Sequence, residues 1–337
     1  MDRIIIFTDF STLSVTTTLI NAAVKSASIS KHSQIAGICV RHFEKHHHLM
    51  YRHFQGFLKT GIKTFFDKTH HKKFSRPLPI NIEKLARQHR FKILIPPENN
   101  INDAGFIRQI KTKLKPTVAL SFYCLQKFSP NLLEAFDYTV NYHNGILPDY
   151  RGRMATCWSI YHQDPTSGYT FHRITNKIDA GNTLIQGLVP VKTHFRVQDI
   201  EHEKAVRATK NMPALFEIIM RREIGQFQEG TGKYFSKKDS EHIKIIRKPS
   251  ELSHDELICR LRAFGSLLMN IEDVWYDITK LEKLSAPPDN SKTIYFQTID
   301  GVIMRPVRFW FLPFFMYQFF RRAGWTMPSG KVFFDAQ

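Results

Sequence analysis

Apolar runs of four to six residues alternate with amphipathic segments through the first half of the chain, and this alternation is what most limits its fold. Residues 4–8 form a β-branched run, 35–40 a second, and 91–95, 117–122 and 138–142 continue the series. Helix patterns lie between them at about 12–26, 82–89, 103–114 and 132–136, the third carrying Phe106, Ile107 and Ile110 as an apolar stripe. Continuous apolar strands separated by helices predict a parallel sheet in a doubly wound, Rossmann-like α/β domain. Ligands of such sheets bind outside the carboxyl ends of the strands, which directs attention to the segment beginning at Asn141.

Residues 199–224 read as one long helix closing this domain, and the polar, glycine-bearing residues 225–240 read as a linker. Ser253 with Glu256 three positions on is a capping signal, and Leu257, Ile258, Leu261 and Phe264 then recur at helical spacing. Strand patterns at 273–278, 293–299 and from Val302 onward follow, with Asp300-Gly301 as a hairpin turn between the last two. The expected organisation is an α/β domain over residues 1–228, carrying a basic insertion at about 41–79, and a smaller β-rich domain over 240–337. A length of 337 residues fits two units at roughly 150 residues each.

Lys and Arg number 48 against 30 Asp and Glu, a net charge of +18. Such an excess favours nucleic acid, phosphorylated metabolites or anionic lipid as partners without choosing among them. Residues 41–76 hold nine Lys or Arg, seven His and two acids. Within them Tyr51, Phe54, Leu58, Ile62 and Phe65 recur every three or four positions, with Arg52, Lys59 and Lys63 between. That is a basic amphipathic helix, suited to tRNA, to an anionic membrane surface, or to packing on the domain with its charges solvated. The aromatic run at 310–320, closed by Arg321-Arg322, has the same character. His46, His47 and His48 do not share a helix face, so they read as an exposed patch, and no metal is expected. Glu201 and Glu203 around His202 read as a solvated helix start. Four cysteines without CxxC pairing argue against a zinc site or a disulfide framework and for a reducing, cytoplasmic setting. The first residues read as a strand rather than a signal peptide, and no apolar run reaches the roughly 18 residues of a membrane span. A soluble or peripherally attached protein is expected.

Chemistry concentrates in Asn141-Tyr-His143-Asn-Gly-Ile-Leu-Pro148-Asp-Tyr150-Arg151-Gly152-Arg153 and, further on, Asp179-Ala-Gly181. Asn141 and His143 are two positions apart, so on an extended strand they project to one face. Pro148 ends regular structure, which puts His143 at a strand-to-loop edge. An amide and an imidazole converging on one point can bind the oxygen of a carbonyl under attack, and the imidazole can also carry a proton. A carboxylate at Asp179 can orient that imidazole and favour its charged form. No Ser or Cys nucleophile pattern accompanies the set, so it fits acyl transfer without a covalent enzyme intermediate.

The string Asn-x-His-x-x-x-Leu-Pro-x-Tyr-Arg-Gly, followed some 35 residues later by Asp-x-Gly, resembles the signature of the folate-dependent formyltransferase superfamily. Trp158-Ser-Ile160 and Gly168-Tyr-Thr170 are similar to that family's next helix and strand, and the resemblance covers about residues 1–210. It implies formyl transfer from 10-formyltetrahydrofolate to an amine, with Asn141, His143 and Asp179 catalytic. It further implies a folate site on the loops at 121–130 and 175–181, with Phe122, Tyr123, Gln126, Phe128, Thr175, Ile178 and Gly181 as its residues. Tyr150, Arg151 and Arg153 are the expected acceptor-binding residues, and the second domain is expected to resemble an open β-barrel. Two departures stand out: Asp-Ala-Gly replaces the usual Asp-Thr-Gly, and residues 9–12 lack the family's glycine-bearing turn. Arg-Gly-Arg with a downstream Trp looks closer to amino-sugar formyltransferases than to methionyl-tRNA formyltransferases, which favours a nucleotide-linked amino sugar as acceptor. The alternatives are methionyl-tRNA as acceptor, hydrolysis of formyl-folate, and a non-catalytic relative whose basic surface binds RNA or lipid.

Overall fold

The structure, a computed structural model, describes residues 1–9, 13–30, 32–41, 80–288 and 293–311. The basic amphipathic pattern from Tyr51 to Phe65, the histidines at 46–48 and residues 312–322 lie outside the described residues. The chain divides into two compact units. The first comprises residues 1–151, 168–189 and 201–233; the second comprises 152–167, 190–200 and 234–337.

The strands in chain order are β1 (Asp2–Asp9), β2 (Ser33–Arg41), β3 (Lys92–Leu94), β4 (Val118–Phe122), β5 (Tyr138–His143), β6 (Tyr150–Gly152), β7 (Thr166–Arg173) and β8 (Thr183–Pro190). Seven of them form one sheet in the order β3-β2-β1-β4-β5-β7-β8. β1 to β5 pair in parallel, as the alternation of apolar runs and helices predicts. β5 and β7 run antiparallel, with Asn141 opposite His172 and His143 opposite Thr170. Successive β1 side chains enter different cores: Ile4 and Ile6 pack with Leu19, Ile20, Leu215 and Phe216, while Ile5 and Phe7 pack with Phe106, Ile110 and Leu132. Helices thus cover both faces, which is why these strands carry no polar alternation. Strand order reverses between β1 and β4, and such a switch point opens a crevice at the carboxyl ends of the strands. Asp9, Phe122 and His143 end their strands there.

The helices of the first unit begin with α1 (Leu13–Ile29), α2 (Ile80–His89), α3 (Ala104–Gln109) and α4 (Pro130–Leu133). Asp103 caps α3 by accepting from the Phe106 amide, and the helix widens into a π turn at Ile110–Leu114. The long helix expected at 199–224 is two, Val197–Lys210 and Met212–Met220, because Pro213 has no N–H to continue the first. The expected linker at 225–240 is also ordered in part. Thr183 and Gln226 exchange backbone hydrogen bonds, and Gln228 is buried.

After β9 (Lys233–Phe235), a five-stranded sheet of the second unit takes the order β10-β11-β12-β14-β13, with β10 (Ile245–Ile246), β11 (Leu267–Ile271), β12 (Val274–Leu284), β13 (Phe296–Gln297) and β14 (Ile303–Phe311). Asp300-Gly301 lies in the turn of the antiparallel β13–β14 pair, with Gly301 at φ 80°. Leu257, Met269, Ile278 and Met304 lie in its core. The helix His254–Phe264 starts at Ser253, whose side chain accepts from the Glu256 amide. Ser253→Ala is expected to destabilise this unit by about 1 kcal/mol, the usual worth of such a cap. An unchanged urea midpoint would contradict that.

Candidate functional site

β5 stays extended through His143, so Asn141 and His143 project to the same face, as their spacing predicts. Asp179 arrives from the 174–182 segment between β7 and β8, where it adopts φ 50°. This is the left-handed region, which Asp tolerates better than most residues and which is often occupied at functional sites. Its Oδ2 stands 3.6 Å from His143 Nδ1 and its Oδ1 3.5 Å from His172 Nε2. All three groups are buried, at 5% (His143), 2% (His172) and 9% (Asp179) exposure, while Asn141 is half-buried.

Hydrogen bonds assign the ring nitrogens. His143 Nε2–H donates to the Tyr150 carbonyl at 2.6 Å, which leaves Nδ1 as the basic nitrogen facing Asp179. His172 Nδ1–H donates to the Arg173 carbonyl at 2.8 Å, so its Nε2 accepts from Asn141 Nδ2 at 3.1 Å. An amide carries two N–H donors, and the second of Asn141 is left to point at a reacting oxygen. Burial depresses the His143 pKa and outweighs the opposing pull of Asp179, with the nearby charge of Lys204 acting in the same direction as burial. Asp179 thus favours the charged form, as expected of a carboxylate there, but desolvation is the larger effect and holds the His143 pKa below its ordinary value.

Gly181 explains the Asp-x-Gly spacing. A Cβ there would fall on the Arg173 carbonyl, so the segment bearing Asp179 can close against β7 only with glycine. Gln228 then fastens it, donating from Nε2 to the Asp179 carbonyl at 3.0 Å and to the Gly181 carbonyl at 2.7 Å. Gln228 in turn accepts from Arg151 Nε and Nη2 at 3.2 and 2.8 Å, and Arg151 Nη1 reaches the Thr231 carbonyl. Arg151, expected to bind the acceptor, thus stands behind the Asp179 segment, and Tyr150 meets the site through its carbonyl. Arg153 belongs to the second unit, as does Gly152, whose φ of 93° and close approach to the Phe235 carbonyl account for the glycine after Arg151.

The residues expected at the folate site divide. Phe122 and Phe128 are core side chains, Phe128 lying edge-on to Phe7 at 4.9 Å, so they can offer a ligand backbone only. Gln126 accepts from the Ile101 amide at 3.0 Å and donates to Asn100, which ties down its own loop. Asp9 holds the other end of that loop, accepting from the Leu125 amide at 3.0 Å while paired with Arg41 at 2.9 Å. Tyr123, at φ 58°, donates its hydroxyl to Glu201. Thr175 donates to the Lys177 carbonyl, and Ile178 is 46% exposed beside Asp179.

Sequence reasoning missed His172, Gln228, Asn144, Glu201 and Lys204. Strand alternation from Gly168 and Thr170 puts His172 on the face shared with them, a signal that was present. Glu201, read as part of a solvated helix start, instead accepts from Asn144 Nδ2 at 2.7 Å and from Tyr123. Among the described residues no group of three or more His, Cys, Asp or Glu side chains could hold a metal ion, and no helix is long and apolar enough to cross a membrane.

A doubly wound sheet brings an amide, two imidazoles and a carboxylate together at the carboxyl end of β5, an arrangement able to support acyl transfer. The family model of formyl transferase matches residues 84–215, which contain that whole set. The match is to this segment of the chain and supports the folate-dependent formyltransferase superfamily. Two relatives overlap it. The bifunctional polymyxin resistance protein ArnA of Wigglesworthia glossinidia brevipalpis is 26% identical over 161 residues, 47% of this chain but only 24% of that longer protein. A methionyl-tRNA formyltransferase of Azobacteroides pseudotrichonymphae is 23% identical over 236 residues, 69% of this chain and 71% of that one. Among solved structures, the N-formyltransferase of Helicobacter canadensis, in complex with folinic acid and dTDP-3-aminofucose, has the same fold. Its TM-score is 0.54 at 17% identity, covering 91% of this chain and 98% of that one.

Proposed function

We propose that the chain is an N-formyltransferase that moves the formyl group of 10-formyltetrahydrofolate to the primary amine of a nucleotide-linked sugar. The observation that carries the transfer reaction is the meeting of Asn141, His143 and Asp179 in one buried site, with His143 Nδ1 basic and facing the carboxylate. The folate donor supplies an activated formyl carbonyl. The second N–H of Asn141 stabilises the oxygen of that carbonyl as charge develops on it. His143 Nδ1 takes the proton of the attacking amine, and Asp179, 3.6 Å away, stabilises the imidazolium that results. That separation is too long for a hydrogen bond and leaves the nitrogen's lone pair for the incoming proton. As the formyl carbon–nitrogen bond to the donor breaks, the imidazolium returns the proton to the departing nitrogen, and His143 is neutral again.

Two observations support the sugar acceptor. Arg151-Gly152-Arg153 with Trp158 replaces the Arg-Gly-Ala-Ala-Pro of the tRNA enzymes, and the Helicobacter canadensis protein of the same fold was solved with a nucleotide amino sugar. Tetrahydrofolate release would be followed with nucleotide amino sugars, glycinamide ribonucleotide and methionyl-tRNA in turn. Release that requires a nucleotide amino sugar is the expected result. Efficient formylation of methionyl-tRNA would overturn the acceptor, and formate release without any amine would make the protein a hydrolase.

A further inference from the structure

The helix Val197–Lys210 contains a lysine with no solvent exposure at all. Lys204 is 0% exposed, and its Nζ donates to the carbonyl of Asn144 at 2.7 Å. A buried ammonium is costly unless it is hydrogen-bonded and offset by charge, so a lysine in such a place calls for a reason. One turn back on the same helix, Glu201 accepts from the Asn144 side chain and from the Tyr123 hydroxyl. Glu201 and Lys204 therefore grip both the side chain and the backbone of the residue that follows His143. Through Tyr123, Glu201 also holds the start of the loop after β4.

We propose that Lys204 is a positioning residue for the transfer, pinning the Asn144 carbonyl so that the end of β5 presents His143 Nδ1 to the reacting proton. The proposal rests on the reading of His143 as the proton acceptor. The titratable groups around His143 are Asp179 from the 174–182 segment, His172 from β7 and Lys204 from the helix; on the β6 side it meets the Tyr150 carbonyl. Asp179 favours the imidazolium, whereas Lys204 disfavours it. Lys204, fixed in place by the Asn144 carbonyl, adds a smaller push in the same direction as burial.

A histidine whose pKa is depressed is uncharged at neutral pH and becomes protonated, and inactive as a base, only at lower pH. Removing a positive charge that opposes protonation raises the midpoint, so the acid limb of activity moves toward neutrality. The test uses the full chain labelled with carbon-13 histidine, with the His143 signal identified by its absence in His143→Ala. Lys204→Met removes charge and hydrogen bond; Lys204→Gln removes the charge and keeps a donor. Both are expected to move the His143 midpoint upward, toward neutrality. Lys204→Met is also expected to lower kcat by up to ~10²-fold with little change in KM for the donor, and Lys204→Gln by less. A His143 midpoint unchanged in the folded variants would overturn the proposal, and so would loss of the fold in both, which would make Lys204 a structural residue. Because the titration needs neither donor nor acceptor, it stands apart from the assay of transfer, and failure of one is distinguishable from failure of the other.

Discussion

His143→Ala is expected to lower formyl transfer by 10²- to 10⁴-fold, the range over which a positioned general base contributes. The ring does two things that alanine cannot. Its Nδ1 is the basic nitrogen beside Asp179, and its Nε2–H satisfies the Tyr150 carbonyl. The first loss removes the proton acceptor proposed for the attacking amine. The second leaves one carbonyl short of a donor, a cost of about 1–3 kcal/mol if water does not replace it, so a thermal melt must accompany the assay. Donor binding is expected to persist within a few-fold, because the loops proposed to hold folate are tied by other contacts. Asp9 fixes the Leu125 amide, Gln126 fixes the Ile101 amide, and Gln228 fixes the Asp179 and Gly181 carbonyls. Turnover unchanged in a folded His143→Ala protein would dispose of the mechanism. Loss of folate binding along with turnover would instead make His143 a structural residue.

What the sequence revealed of this molecule divides according to distance along the chain. β1, β4 and β5 are buried on both faces, so their apolar runs are continuous and stand out, and the parallel core follows from them. The Asn141–His143 pair was legible because one strand sets its geometry. β11 escaped notice although Leu267–Ile271 is apolar, because Glu272 and Asp273 make the turn to β12 at φ 50° and 61°. Such turns usually announce themselves with Asn or Gly, and here they do not.

The partners of the site come from afar, and local pattern does not encode them. His172 reaches Asn141 because β7 turns antiparallel to β5, a pairing between strands some thirty residues apart. Gln228 lies in a stretch whose composition reads as linker, and nothing in Gln-Phe-Gln-Glu marks it as buried beneath Asp179. Lys204 sits in a helix whose charged residues are mostly solvated, and its burial comes from the end of β5 packing above it. Arg151 shows the converse. A motif arginine invites assignment to an anionic ligand, yet its guanidinium meets Gln228 and the Thr231 carbonyl. The charge pattern identified the residue, and only the tertiary contacts identify its partner.

Gly181→Ala is expected to cost both stability and rate, and the cause is a single backbone contact. The added Cβ would fall on the Arg173 carbonyl oxygen, which cannot swing aside as the tip of a side chain could. Either β7 gives at its end or the 174–182 segment lifts away, a strain of about 1–3 kcal/mol by the usual cost of overpacking. Lifting carries Asp179 with it, away from His143, and pulls the Asp179 and Gly181 carbonyls from Gln228. A displacement near 1 Å at a reacting group is worth ~10² in rate, so kcat is expected to fall by about that factor. Ala180→Thr is the control, because it restores the residue usual between Asp and Gly in the family and leaves Gly181 in place; activity close to the parent is expected. Urea denaturation and single-turnover transfer would read the two effects separately. A Gly181→Ala protein that melts earlier yet transfers formyl at the parent rate would show that the Asp179 segment can move without consequence. In that event the carboxylate would lose its place in the mechanism, while the glycine would keep its place in the fold.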